Sequence, residues 1–308
     1  MRSVLRTVAA LGLMISASAA LAFNDGHQST QNFQEVRRVI EEKISKYGAD
    51  RVLIALDVDN TTLALEKDFG SEHWATWQSA MISQGQLGDG AVSRTIQGMF
   101  NVQSQVMALA PMRAVESEIP NELAKFGRLG ARMMALTSRG LSFHDATIRE
   151  LRRNGFPYET FAPGPKGGIA GSYIPLDLER PELSGLTAKD VQDLALVSVG
   201  PVMYQDGVFL TEGQHKGAML RTLLHRLKLK FDAIVFIDDR LKHSEGMQAA
   251  FKDRRESVTT IQYAHNAQAI ADWQAGDKQS AKQDWCEFSK AILTVRANPA
   301  DADVISCP

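Results

Sequence analysis

The chain has 308 residues, of which 44% are hydrophobic and 23% charged, and its formal net charge is −2. This composition is typical of a globular protein, and the length allows one large domain or a core domain with an insertion. Because the charge is close to zero and no long basic tract occurs, we expect neither nucleic-acid binding nor adhesion to an anionic membrane.

The first 22 residues have the three parts of a secretory signal peptide. Two arginines precede an apolar stretch at about 8–15, and small residues with an A-x-A pattern end at Ala22. The apolar stretch is shorter than the ~20 residues that a bilayer-spanning helix needs. We therefore expect a signal peptide over 1–22, no stable membrane anchor, and a mature protein that is periplasmic or secreted.

The chain has two cysteines, Cys286 and Cys307, both near its C-terminal end. In an oxidising compartment they could pair and fasten the tail, and the predicted export favours this pairing over two free thiols. The surrounding residues have neither metal-ligand spacing nor a redox motif.

In chain order, the first predicted elements are a helix and a core strand. Apolar residues recur at helical spacing over 33–47, and a glycine follows. The unbroken apolar run over 52–56 then predicts a strand buried on both faces, as in a parallel sheet.

Two carboxylates, Asp57 and Asp59, end this strand abruptly. Aspartate is depleted in strands, and a buried carboxylate needs a partner. In open α/β sheets the ligand crevice lies outside the carboxyl ends of the strands. The period-2 geometry of a strand would aim Asp57 and Asp59 the same way into that crevice.

The segment over 66–120 has no strand-like run and is predicted to be a mostly helical insertion over the sheet edge. Its residues His73, Trp74 and Trp77 could line a substrate pocket. The two tryptophans could equally form the core of the insertion, which is the more usual role.

A helix is predicted from Pro120 through Phe126, and a second core strand over 131–136 ends in Thr137 and Ser138. The next helix is predicted to start at Ser142, with Asp145 completing a capping box. It should end at the Asn-Gly pair of residues 154 and 155.

Residues 156–190 are rich in proline and glycine and carry no assignable element. A β-hairpin is predicted over 202–210, around an Asp-Gly turn. Lys216 lies at the start of the helix that follows.

A third core strand is predicted over 233–237, ending in Asp238 and Asp239, and a last strand over 258–263. Strands that alternate with helices in this way predict a parallel α/β sheet.

The strand ends and the start of the helix therefore carry a recurrent set of polar groups. Several carboxylates near one point repel each other unless a cation lies among them, and oxygen ligands suit Mg²⁺. The members of the set are Asp57, Asp59, Thr137, Ser138, Lys216, Asp238 and Asp239.

This set can perform phosphoryl transfer. Asp57 could attack phosphorus, while Mg²⁺ and Lys216 offset its repulsion from the phosphate dianion. Asp59 could protonate the leaving oxygen and later take a proton from the attacking water. Thr137 and Ser138 could donate to the phosphoryl oxygens.

The order of these residues resembles the haloacid dehalogenase-like (HAD) superfamily in its phosphatase branch. Four motifs carry the resemblance: residues 57–61 (Asp-Val-Asp-Asn-Thr), Thr137, Lys216 and the pair Asp238-Asp239. It implies a Rossmann-like three-layer α/β fold with a parallel sheet and a helical cap.

The resemblance also implies the role of each residue. Asp57 would be the nucleophile and a Mg²⁺ ligand. Asp59 would be the acid/base and lend its backbone carbonyl to the metal. Asp238 would complete the metal site and Asp239 would support it. Thr137 and Lys216 would bind phosphate.

A narrower resemblance points to an exported bacterial HAD family of unknown function. The Asp-x-Asp-Asn-Thr start, the segment 74–77 and the stretch 209–217 carry it. It implies no substrate. Asp59 favours a phosphatase or phosphomutase, and export disfavours a mutase of cytosolic sugar phosphates.

The expected organisation has five parts. The insertion between Asp57 and Thr137 is favoured as the cap over the one between Thr137 and Lys216. The parts are a signal peptide (1–22), an N-terminal helix with the first core strand (23–65), a helical cap (66–120), the core (121–270) and a C-terminal helical tail (271–308).

Four more residues could contribute to the site. Arg139 could bind phosphate bidentately or lie at the surface. His215 could touch substrate or cap a helix, and Arg240 and His243 could support the metal-binding acids. The seven histidines show no closely spaced zinc pattern.

We therefore expect a Mg²⁺-dependent phosphomonoester hydrolase that acts on a small phosphorylated substrate outside the cytoplasm. The alternatives are a non-catalytic binding protein on the same scaffold and a phosphotransferase with an alcohol acceptor. The oligomeric state stays open.

Overall fold

The computed structural model describes residues 27–88, 90–295 and 305, and for residues 293–295 the backbone alone. The predicted signal peptide (1–22) and Cys307 lie outside the described residues. Cys286 is disulfide-bonded, and its predicted pairing with Cys307 stays a prediction.

The strands are numbered in chain order. They are β1 (His27–Thr30), β2 (Val52–Leu56), β3 (Leu63–Leu65), β4 (Met112–Ala114), β5 (Arg132–Thr137), β6 (Gly168–Tyr173), β7 (Val202–Gln205), β8 (Val208–Leu210), β9 (Ala233–Asp238) and β10 (Ser257–Tyr263).

The helices are numbered in the same way. They are α1 (Phe33–Tyr47), α2 (Glu72–Ser83), α3 (Ile96–Leu109), α4 (Ile119–Leu129), α5 (His144–Arg153), α6 (Tyr158–Phe161), α7 (Ala188–Asp193), α8 (Lys216–Arg226), α9 (Leu241–Phe251), α10 (Ala267–Ala275) and α11 (Gln279–Val295).

Eight strands form the central sheet in the order β1-β10-β9-β2-β5-β8-β7-β6. Neighbouring strands from β1 to β8 in this order are parallel. The last two pairs, β8 with β7 and β7 with β6, are antiparallel. The prediction of an α/β fold built on a parallel sheet is confirmed in this form, with an antiparallel ribbon at one edge.

The sheet is covered on both faces because its central strands are apolar throughout. Val52, Ile54 and Leu56 of β2 face one buried cluster, which includes residues of α1, α4 and α5. Leu53 and Ala55 face a second, which includes residues of α8 and α9. The carboxyl ends of β2, β5 and β9 therefore meet at one edge between helical layers.

Several short elements differ from the sequence-based expectation. The segment expected to be mostly helical contains a strand, β4, which pairs with β3 in a small antiparallel sheet. Edge strands β1 and β6 were also not predicted. The capping box expected at Ser142 is wrong: residues Leu141–Phe143 form a 3-10 turn, and α5 begins after it without a side-chain cap.

The insertion helices α2 and α3 share a third apolar cluster with the C-terminal helices. We call it the cap cluster; its buried members are Phe69, Trp74, Ala75, Val92, Met99, Val102, Val106, Ala281 and Trp285. Trp74 is thus core, and Trp77 packs beside it against Trp273. None of the helices in the described part of the chain has the length and apolar character needed to cross a membrane.

Candidate active site

The first feature of the site is that three adjacent strands end in polar residues. Asp57 directly follows β2, while Thr137 and Asp238 are the last residues of β5 and β9. Because β9, β2 and β5 are neighbours and run parallel, these residues lie at the same edge of the sheet. The sequence-based expectation of one shared edge is met here.

Lys216 lies at the centre of the site. Its Nζ is 2.7 Å from Oδ1 of Asp57 and 2.7 Å from Oδ2 of Asp238, and its side chain is 1% exposed. Although burial lowers the pKa of Lys216, the two carboxylates raise it above its ordinary value. The ammonium therefore stays charged and bridges the two carboxyl groups.

The carboxyl group of Asp57 has a pKa far above its ordinary value. Burial raises the pKa of its carboxyl to about 8, even though Lys216 opposes the shift. The hydroxyl of Thr62 donates to the backbone carbonyl of Asp57 at 2.9 Å and so helps fix the turn that carries it.

A possible metal centre lies beside Lys216. Ligand atoms of Asp57, Asp238 and His243 lie within 4.8 Å of one another. Nδ1 of His243 is 3.0 Å from both carboxylate oxygens of Asp238. Two of the three predicted metal ligands thus belong to this cluster, while the side chain of the third, Asp59, points to Arg139.

Asp59 forms an ion pair in which both of its oxygens are engaged. Arg139 donates from Nε and from Nη2, each at 2.9 Å, and its Nη1 donates to Thr147 at 2.7 Å. Burial raises the pKa of Asp59, but the charge and hydrogen bonds of Arg139 outweigh burial and hold that pKa below its ordinary value. Arg139 is 7% exposed, so it is not a surface residue.

Asp239 supplies a further buried carboxyl group. Burial, with the charges of Glu72 and Asp57, raises the pKa of Asp239 to about 9. Its Oδ1 is buried and has no hydrogen-bond partner within the part of the chain that the structure describes.

Glu72, at the start of α2, connects the cap to the core. It pairs with the guanidinium of Arg240, which follows β9, and accepts a hydrogen bond from Asn60 at 3.2 Å. This role could not be predicted from the sequence, because an acidic residue in the first turn of a helix is common.

The loop after β5 is fixed by the loop after β8. The backbone N–H and hydroxyl of Thr211 donate to the carbonyl of Thr137, and the N–H of Gly213 donates to that of Ser138. The hydroxyl of Thr137 in turn accepts from the backbone N–H of Arg139 at 3.1 Å. The loop proposed to bind phosphate is therefore held rigidly, which favours a preorganised site.

A cavity of about 530 Å³ opens at this edge, and Asp59, Ser138, Arg139 and His243 line it. Its walls come from α2, α3 and the loops that follow β2, β5, β8 and β9. Residues of the first insertion thus line the cavity, and no described residue within 156–190 does. His215 is outside the lining and caps α8 by accepting from the N–H of Ala218.

The charges around this edge do not balance within the described residues. Apart from Glu212 and Lys242, one acid and one base that also line the cavity, the carboxyl groups are those of Asp57, Asp59, Glu72, Asp238 and Asp239, and the permanent cations are Lys216, Arg139 and Arg240. Five acids against three bases leave room for two positive charges. Burial is the main cause of the raised pKa values of Asp57 and Asp239, and the neighbouring carboxylates of this surplus raise both pKa values further.

The fold and the site together define a mixed α/β protein with a buried acidic centre at the carboxyl edge of its sheet. The chain belongs to the family described as a protein of unknown function (DUF2608), whose model matches residues 29–297. No curated protein and no solved structure matches the chain.

Proposed function

We propose that this protein is a Mg²⁺-dependent phosphomonoester hydrolase of the HAD phosphatase type, which works through an aspartyl-phosphate on Asp57 outside the cytoplasm. The observation that carries the proposal is the position of Lys216 between Asp57 and Asp238, at 2.7 Å from each. A nucleophilic carboxylate needs such a cation beside it, because a phosphate dianion would otherwise be repelled.

The donor set fits Mg²⁺. The surplus of carboxyl groups, and the buried Oδ1 of Asp239 without a partner among the described residues, suit a divalent cation. Asp57 and Asp238 would hold it, with the backbone carbonyl of Asp59, and His243 would orient Asp238 by hydrogen bonding. Bound Mg²⁺ would supply positive charge to the phosphoryl oxygens.

In the first half-reaction, a carboxylate oxygen of Asp57 attacks phosphorus and the bond from phosphorus to the leaving oxygen breaks. Asp59, which its pairing with Arg139 holds ionised, must first take up a proton; it then gives that proton to the leaving oxygen, so the product alcohol departs neutral. Lys216 and the loop at Thr137 and Ser138 bind the phosphoryl oxygens, where negative charge is spread in the transition state.

In the second half-reaction, water attacks the phosphorus of the aspartyl-phosphate. Asp59 accepts the proton of that water, Asp57 is regenerated as a carboxylate, and inorganic phosphate leaves. The charge of Asp59 in its pair with Arg139 suits this step, because a base must be deprotonated.

Two observations support a location outside the cytoplasm: the signal-peptide pattern of residues 1–22 and the disulfide-bonded state of Cys286. A non-catalytic binding role is disfavoured, because the groups needed for catalysis are all present and Lys216 joins two of them directly.

Hydrolysis of p-nitrophenyl phosphate by the mature protein tests the proposal. Wild type should turn over with Mg²⁺ and stop with chelator, and Asp57→Asn should be inactive, with the exposed Asp253→Asn as the matched control. A folded wild-type protein with no activity on this ester and on a broad panel of phosphomonoesters would refute it.

A further inference from the structure

Glu212 has a conformation and a position that the proposed reaction does not explain. It lines the cavity, and its φ of 53° lies in the left-handed region that side chains other than glycine rarely adopt. Such a conformation persists only where the surroundings enforce it, and it is concentrated at functional sites.

The neighbouring residues hold the Glu212 carboxylate at the cavity wall. The backbone N–H of Leu141 donates to Oε2 of Glu212 at 2.9 Å, and the N–H of Glu212 donates to the carbonyl of Arg139 at 3.2 Å. A Cβ at Gly140 would lie 2.8 Å from Oε1 of Glu212, so glycine at 140 leaves the space that the carboxylate fills. Oε1 has no hydrogen-bond partner among the described residues.

A negative charge on the wall of a phosphate site disfavours a second anionic group on the substrate. It also accepts hydrogen bonds from hydroxyl groups. Apart from Glu72, which pairs with Arg240, the cap face of the cavity presents uncharged groups, including Thr76, Ser79 and Gln97 and the half-exposed ring of Phe100. Both arginines that line the cavity, Arg139 and Arg240, are already paired with carboxylates.

We propose that Glu212 determines specificity, and that the substrate is a monophosphate whose leaving group is uncharged and carries hydroxyl groups, about one sugar ring in size. This inference rests on the proposed function and names the substrate class of that same site. A cavity of about 530 Å³ lies in the range of small-ligand pockets.

The test compares glucose 6-phosphate with 6-phosphogluconate, in which C1 of the same six-carbon chain is oxidised to a carboxylate and the ring is open. Wild type should favour glucose 6-phosphate by about tenfold or more in kcat/KM, as expected for one like charge nearby. Glu212→Gln should reduce that preference to within about threefold by improving the second substrate. Glu182→Gln, an exposed glutamate outside the cavity, should keep the wild-type ratio.

A rival assignment gives Lys242 the role of binding a second anionic group, because this exposed lysine also lines the cavity. The inference is overturned if wild type prefers 6-phosphogluconate and Lys242→Gln selectively lowers kcat/KM for that ester. An unchanged ratio in Glu212→Gln overturns it as well.

Two measurements separate the inference from the proposed function. Turnover of p-nitrophenyl phosphate, which offers Glu212 no hydroxyl group, reports the reaction alone. Glu212→Ala should raise the KM for glucose 6-phosphate by a larger factor than the KM for this ester. Thermal shift of Asp57→Asn with each sugar phosphate reports binding without turnover. If p-nitrophenyl phosphate is hydrolysed and neither comparison shows the preference, the substrate class fails and the proposed reaction stands.

Discussion

Arg139 holds both carboxylate oxygens of Asp59, each at 2.9 Å, across 80 residues of sequence. Arg139 is buried and Asp59 is partly buried, and their pairing connects the loop after β5 to the loop after β2. The proposed general acid is therefore fixed in position and kept ionised in this arrangement. Before Asp59 can act as an acid, the bound substrate must either attract Arg139 away from it or supply a proton to it.

Arg139 should thus matter more for some leaving groups than for others. In Arg139→Met, Asp59 loses its fixed orientation, so esters that need a proton on the leaving oxygen should slow by about 100-fold. p-Nitrophenolate departs without a proton and should slow much less. Steady-state rates for glycerol phosphate and p-nitrophenyl phosphate give the comparison.

The control for this prediction is Arg180→Met, which removes an exposed arginine paired with Asp177 and should change neither rate. An equal loss for both esters in Arg139→Met would mean that Arg139 acts on the phosphate or on the fold and not through Asp59.

Lys216 should be necessary for stability as well as for turnover. Lys216→Met leaves the buried carboxylates of Asp57 and Asp238 without their shared cation, which should destabilise the protein by about 3–5 kcal/mol in chelator. Added Mg²⁺ should restore part of that loss. Denaturant unfolding with and without Mg²⁺ measures it, and the exposed Lys252→Met should change stability by less than about 0.5 kcal/mol.

A second effect of Lys216→Met is kinetic. Loss of one charge at the phosphoryl group should lower kcat by about 10²–10³. Retention of more than a tenth of wild-type kcat would exclude a direct role of Lys216 in binding phosphate.

The raised pKa of Asp57 should make the stability of the metal-free protein depend on pH. Its pKa of about 8 is above the unfolded value, so the folded state binds more protons between about pH 4 and 8, and stability falls as the pH rises through that window. Asp57→Asn removes this penalty. It should exceed wild type in stability by about 1–4 kcal/mol at pH 8 in chelator, and by little at pH 4.

Thermal unfolding of both proteins across this range tests the sign. Mg²⁺ should stabilise wild type at pH 8 and leave Asp57→Asn nearly unchanged, because the variant lacks a ligand. Wild-type stability in chelator that rises from pH 5 to pH 8 relative to the variant would contradict the assignment.

Away from the site, Asp190 and Arg221 form a two-point ion pair, at 2.6 Å and 2.8 Å. The hydrogen bonds of Arg221 hold the pKa of Asp190 well below its ordinary value. The pair therefore stabilises the fold above about pH 4, and the contribution is lost as the pH falls towards the folded pKa.

Asp190→Asn should accordingly lose about 1–3 kcal/mol of stability at pH 7 and less at pH 3. Asp193→Asn, whose carboxylate pairs with Lys189 at the surface, is the control and should lose under about 1 kcal/mol. If Asp190→Asn loses the same stability at both pH values, the charge of Asp190 is not the cause of that loss.

The strand ends were predictable from the sequence because the signal is local. An unbroken apolar run such as 52–56 that ends in Asp57 indicates both a buried strand and a residue at its carboxyl end. The hairpin at β7 and β8 and the helix that starts at Lys216 were predictable for the same reason.

Contacts between distant residues were not predictable in this way. Neither the pairing of Asp59 with Arg139 nor that of Glu72 with Arg240 leaves a local pattern. The packing of α11 against the insertion helices joins residues more than 170 positions apart. The strands β3 and β4 have three residues each, too few for a recognisable alternation.

The central claim is a covalent phosphoryl group on Asp57, and a trapping measurement tests it most directly. The mature protein would be mixed with a phosphomonoester and Mg²⁺ and quenched in acid within one turnover, and its peptides analysed by mass. The account predicts one added phosphoryl group on the peptide that contains Asp57, absent in Asp57→Asn. Turnover without that modification, or its retention in Asp57→Asn, would contradict the proposed mechanism.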